Sequence, residues 1–350
     1  MKRLLLLFCL GGSLVGQPPR ISLDASQVQH ITLRGRDFHR IGVPLFSSSS
    51  TMCDARRGVY FDISQIYSVQ SILRVNEDGS QPTPIPFPTG LDSKGQWSFS
   101  PDTSGSVYLL LTNVDDPLLI HMSSSGEEVS RMKLSLPKSF HVHSFAVQSD
   151  GRSLFFGSFM TIKTESESGS GVHRSPEIVD VPFLFWLDAA GRLNRKEPFG
   201  KMFSRSTTEP DGLIVAGMPG IFYVATSAEV REYSSRGDFF KKFLIAPPSK
   251  NSHLSSLQFV DRWIALLFTY PATTTSVETG ISNKAESPSS SYYGPLKETW
   301  LLASTVSGEA EGYYNAPEDI KGSALCYVGQ HSFLYITVRD RQLFLVEAEQ

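Results

Sequence analysis

The sequence predicts an all-β fold, a β-propeller of six four-stranded blades whose last blade is closed by an N-terminal strand. Three observations lead there. Hairpin signals containing glycine separate short apolar runs along most of the 350 residues. Glycine accepts φ > 0 without steric penalty, so Asp-Gly and Ser-Gly pairs between such runs mark tight turns. The second signal of each copy puts its glycine at 79, 126, 191, 237 and 308, with gaps of 47, 65, 46 and 71 residues. Both long gaps hold low-complexity stretches, near 161–178 and 272–296. Without them the period returns to about 46 or 47, the length of a propeller blade. The final copy stops after three strands, Ser323–Val328, Ser332–Val338 and Gln342–Glu347, so its fourth must come from elsewhere in the chain. Two β-sandwich domains would also show many short strands, but not this period or the terminal half-blade.

Taken in order, residues 1–16 read as a signal peptide. Lys2 and Arg3 are basic, Leu4–Leu10 is apolar, and Gly11, Gly12, Ser13 and Gly16 are small. Cleavage at Gly16–Gln17 leaves residues 17–350 as one propeller domain, secreted or periplasmic. It removes two of 32 basic residues and none of 35 acidic ones, taking the net charge from −3 to −5. No later stretch is long and apolar enough to span a bilayer, and no basic stripe points to nucleic acid. Val28–Leu33 is the strand expected to complete the last blade; a polar, basic stretch, GRDFHR, follows it. Five full blades are then expected near 46–90, 91–138, 139–204, 205–248 and 249–318. The abundant Phe and Tyr, 23 and 12, suit strands.

The clearest copy is Gly217–Ile245. Its Gly220, Tyr223-Val224-Ala225, Arg231 and Gly237 resemble the NHL-type repeat of six-bladed propellers. The other copies are similar in spacing to the wider TolB-like class. This resemblance implies the fold and carries over no functional residues.

In such a ring the loops entering the first strands and those joining second to third strands open on one face. Both insertions fall on second-to-third connections and so flank the channel mouth, where insertions mark a binding face. Tyr292 and Tyr293 make the second insertion the better ligand contact. Segments converging on the mouth carry Cys53, Asp54, His141, His143, Glu209, Asp211, His253 and Asp319. His141 and His143, two apart on a strand, are expected on one side. A metal would need a further ligand from Glu209, Asp211 or His253. Lactonase-like six-bladed hydrolases hold a metal there through acidic and asparagine ligands, and no such set can be placed. No metal and no cofactor are therefore assigned.

Cys53 and Cys326 both precede turn glycines on innermost strands. If six blades close, they meet in neighbouring blades as a candidate disulfide; two buried thiols are the alternative. The chain has no Gly-x-Ser-x-Gly elbow, His-Glu-x-x-His, Cys-x-x-Cys, phosphate loop or dinucleotide fingerprint. These features favour an exported binding or interaction module for an unknown protein, peptide or saccharide. A metal-assisted hydrolase or lyase at the channel mouth is the alternative, and a scaffold using its outer edges a third reading.

Overall fold

One turn, repeated, sets the frame. In it residue i donates its N–H to the carbonyl of i+4, and the glycine at i+3 donates back to the carbonyl of i. Asn76, Asp102, Ser123, Gln148, Asp188 and Ser234 all begin such a turn. Its glycines, 79, 105, 126, 151, 191 and 237, have φ between 71° and 94°. At Asp102, Asp188 and Ser234 the side-chain oxygen also accepts the N–H groups of i+2 and i+4. That explains the short polar residue three places before the glycine at those three turns.

A computed structural model of the chain describes residues 28–44, 51–54, 57–63, 71–88, 96–102, 104–163, 177–200, 203–204, 212–272, 296–317, 320 and 322–350. Strands β1 (Gln29–Thr32) and β2 (Arg34–Pro44) come first. Blade 1 is β3 (Thr51–Cys53), β4 (Val59–Asp62), β5 (Ser71–Val75) and β6 (Thr83–Pro86). Blade 2 is β7 (Gln96–Pro101), β8 (Val107–Thr112), β9 (Leu118–Met122) and β10 (Glu128–Lys133). Blade 3 is β11 (Phe140–Val147), β12 (Ser153–Lys163), β13 (Glu177–Leu187) and β14 (Leu193–Pro198), with β15 (Phe203–Ser204) added on β13. Blade 4 is β16 (Leu213–Ala216), β17 (Ile221–Ala225), β18 (Glu229–Ser234) and β19 (Phe239–Leu244). Blade 5 is β20 (His253–Val260), β21 (Trp263–Pro271), β22 (Leu296–Ser304) and β23 (Ala310–Asn315). Blade 6 is β24 (Gly322–Gly329), β25 (Ser332–Arg339) and β26 (Gln342–Glu349), completed by β2. No helix occurs among the described residues.

Six apolar clusters seal the six blade interfaces, so the fold is a closed six-bladed β-propeller. The two-residue period of a strand feeds both of its faces. In β4, Val59 and Phe61 pack against blade 6 while Tyr60 between them packs against blade 2. Second strands are buried on both faces and therefore read as unbroken apolar runs, as in VYLLLT of β8.

The strand that closes the last blade differs from expectation. It is β2, the polar, basic stretch, pairing antiparallel with β26 from Arg34↔Glu349 to Pro44↔Gln342. The expected strand, Val28–Leu33, instead forms β1, which lies parallel to β23 on the outside of blade 5. An outermost strand is half solvated, so an arginine-rich sequence suits it: Arg36 pairs with Glu349, and Arg339 lies over the Phe38 ring. The apolar signal of Val28 and Leu33 reports two buried anchors, one in the blade 4–5 cluster and one in the blade 5–6 cluster.

Gly237 and Gly220 separate backbone strain from crowding. Both have positive φ, 94° and 82°. A Cβ on Gly237 would lie 2.6 Å from Arg195 Cδ and 3.0 Å from the buried Trp186 ring, whereas Gly220 has open space. We expect Gly220→Ala to cost about 1–2 kcal/mol of unfolding free energy. Gly237→Ala should cost roughly 1–3 kcal/mol more. Equal losses in urea denaturation would contradict the packing assigned to the turn.

Candidate functional site: the central channel

The first strands of blades 1 to 5 line a central cavity of about 630 Å³. Its polar lining includes Gln96, Ser98, Ser100, His143 and Ser256, with Met52 and Met218 beside them. No lysine or arginine lines it among the described residues. Its two carboxylates are already engaged. Asp54 accepts from the Tyr60 hydroxyl at 2.7 Å and the Gly58 N–H at 2.9 Å. Asp102 accepts from the Ser104 and Ser106 N–H groups at 2.7 and 3.0 Å. Burial and the Asp54 charge push the Tyr60 hydroxyl far above the ordinary tyrosine range, so it stays a donor. No blade 6 residue is among the described cavity lining, and blade 5 is bridged to blade 6 by Gln258. Its amide donates to the Leu325 carbonyl at 3.2 Å and accepts the Tyr327 N–H at 2.8 Å.

Of the histidine pair, only His143 lines the cavity. A β-bulge takes the pair out of simple alternation: Val142 faces Gly157 and Ser144 faces Phe156, leaving His143 as the extra residue. Gly157 is required there, because a Cβ would collide with the His141 carbonyl. His143 Nε2 meets the Oγ of the fully buried Ser158 at 2.8 Å. His141 is half-buried, in register with Ser158. His253 is exposed at the start of β20 opposite Thr269, outside the cavity lining. Glu209, Asp211, Tyr292, Tyr293 and Asp319 lie outside the described residues. Among the described residues no group of three His, Cys, Asp or Glu side chains could hold a metal ion.

Cys53 and Cys326 are joined across blades 1 and 6, with Cα atoms 6.1 Å apart, inside the usual range for a disulfide. Cys53 borders the cavity, and Cys326 is fully buried.

The insertions begin and end as ladders. The β12–β13 pairing extends to Lys163↔Glu177, and β15 adds a third strand at Val179↔Ser204 and Asp180↔Phe203. In blade 5 the β21–β22 ladder extends to Pro271↔Leu296. Blade 4 stays low between them, since Thr226 closes its own turn by accepting the Ala228 and Glu229 N–H groups. Two hairpins thus flank one low blade beside the channel.

Sequence reasoning missed Gln96, Ser98, Ser100, Ser256, Met52 and Met218. Their only signal is position: each lies on the first strand of its copy or just past its end, where polar residues interrupt an otherwise buried pattern.

Glu298 on the blade 5 hairpin has its carboxyl raised above the ordinary value of 4.5 by burial, opposed by the Ala324 N–H that it accepts at 2.6 Å.

No family model matches this chain, and no curated protein does. Solved structures similar to it include a member of the DUF4221 family from Bacteroides vulgatus, at 12% identity and TM-score 0.48, covering 91% of this chain and 97% of that one. The Pan2 WD40 domain of Neurospora crassa matches at 8% identity and TM-score 0.44, over 94% and 97%. The β-propeller domain of Cps50 (Swd1) from Myceliophteria thermophila matches at 7% identity and TM-score 0.44, over 87% and 98%.

Two measurements check the seam and the hairpin. Alkylation should leave Cys53 and Cys326 unmodified until the protein is reduced, and reduction should lower the unfolding free energy by about 2–5 kcal/mol. Labelling of both without reductant would contradict the bridge. Folded Glu298 keeps its proton to higher pH than unfolded chain does. Its stabilising contribution is complete below the ordinary carboxylate pKa and is lost as pH rises through the raised value. Glu298→Gln should therefore gain on the parent protein as pH rises above the ordinary carboxylate pKa. A stability difference independent of pH would contradict this reading.

Proposed function

We propose that the protein is an exported binding or interaction module that seats its ligand at the channel mouth, over blade 4 and between the blade 3 and blade 5 hairpins. The observation that carries this is the cavity itself, rich in hydroxyls and amides yet without a cation or an unengaged carboxylate among its described lining. Burying a charged ligand group without a counter-charge is costly. The part of the ligand that enters is therefore neutral and hydrogen-bonding, as in an uncharged polypeptide loop or a neutral saccharide. His143 contacts it from within. The sequence pattern adds His141, His253, Glu209, Asp211, Tyr292 and Tyr293 as further proposed ligand contacts. Export rests on Lys2, Arg3 and the Leu4–Leu10 run. Kinship with the NHL-type propellers rests on the Gly220–Phe243 blade, and kinship with the TolB-like class on the spacing of the other copies.

Peptide and glycan arrays probed with the parent protein and with Ser98→Trp test the site. Ser98 is exposed on a first strand, so an indole there fills the channel without disturbing a blade interface. Neutral array members should be retained by the parent protein and weakened about tenfold or more, a difference of at least 1.4 kcal/mol, by the variant. Retention unchanged by Ser98→Trp, or confined to highly charged members, would overturn the proposal.

A further inference from the structure

The outer strands repeat one another closely enough to be read against each other. In four blades the residue three places after the turn glycine is a bulge: Val129, Asn194, Phe240 and Glu311 follow Gly126, Gly191, Gly237 and Gly308. On blade 5 the four residues beyond the bulge, Gly312–Asn315, carry β1 in parallel. The same four positions on blade 4 are Lys241–Leu244, at the free edge of its sheet.

Facing directions agree as well. Tyr314 packs toward blade 6 and its counterpart Phe243 toward blade 5, each toward the following blade. Ala310, one place before the bulge, belongs to the same cluster as Val28, the residue that leads into β1. Its counterpart on blade 4 is Phe239, 45% exposed, with Phe240 beside it at 51%.

Natural sheets blunt a free edge with charge, proline or cover. Here β6 carries Pro84 and Pro86, β10 carries Arg131 and Lys133, and β14 carries Arg195, Lys196 and Pro198. Blade 5 is covered by β1. On β19 Lys242 pairs with Glu229 of its own sheet at 3.2 Å, Lys241 donates to the Thr305 carbonyl of blade 5 at 2.7 Å with Glu232 at 3.4 Å, and two half-exposed phenylalanines lead the strand.

We propose that β19 takes up an extended strand from a partner polypeptide, parallel to Lys241–Leu244, as β23 takes up β1. The register sets the partner's chemistry. An apolar residue precedes the strand and meets Phe239, acidic residues stand opposite Lys241 and Lys242, and an apolar residue stands opposite Phe243. The order is apolar, acidic, acidic, apolar. A second copy of this chain fits less well, since antiparallel pairing of two β19 edges would set lysine against lysine.

Hydrogen exchange of the intact protein tests this with two synthetic peptides spanning Val28–Leu33, one carrying Gln29→Glu and His30→Glu, the other Gln29→Lys and His30→Lys. The glutamate peptide, titrated to about 1 mM, should slow exchange across β19 by roughly tenfold, leaving β10 and β14 unchanged. The lysine peptide should slow it far less. No slowing in β19, equal slowing by both peptides, or equal slowing at all three edges would overturn the proposal. So would concentration-dependent dimerisation of the protein alone that protects β19, which would assign the edge to a second copy.

Discussion

Ring closure is the constraint on which everything else here depends. Each blade has two apolar faces and can bury them only against neighbours, so a row of blades would leave two faces in water. The chain removes those faces at the seam between blades 6 and 1. There β2 completes the sheet of β24–β26, and one cluster runs from Val59 and Phe61 to Leu334 and Leu345. Cys53 and Cys326 tie the same seam covalently, and Arg57 reaches across it to the Val328 carbonyl and toward Glu347. Because β2 completes the sheet of β24–β26, an early strand and the last three are spent on one junction.

Closure also defines the channel. Alternate interfaces are stitched by a polar group beside it. Between blades 1 and 2, the Tyr60 hydroxyl bonds both Asp54 and the Gly105 carbonyl. Between blades 3 and 4, Gln148 donates to the Ile221 carbonyl at 2.5 Å and accepts the Gly220 N–H at 3.4 Å. Between blades 5 and 6, Gln258 plays the same part. These groups use up the polar chemistry at the inner rim. Beside them the cavity is lined by serines, by Gln96, which accepts from Asn113, and by His143, which bonds Ser158, in keeping with the proposed recognition of a neutral group.

Much of the architecture was legible because turns and second strands are dictated locally. A turn needing φ > 0 calls for glycine, and a strand buried on both faces calls for an unbroken apolar run. The closing strand was not legible, because an outermost strand is half solvated. Arg34, Arg36 and Arg40 hid β2, while the buried anchors Val28 and Leu33 drew attention to β1. The channel was legible only in outline. His143 lines it, but the bulge that separates it from His141 depends on Gly157 across the ladder, a contact between strands that no local pattern encodes. The disulfide candidate came from counting blades: two cysteines 273 residues apart can meet only if the ring closes.

Native-state hydrogen exchange at the seam tests ring closure most directly. If β2 and β26 hold the ring shut, their ladder amides should open only with the whole molecule, at the same free energy as the buried strands β8 and β12. Amides of β2 and β26 that exchange through a separate opening of lower free energy, while β8 and β12 stay protected, would contradict the account.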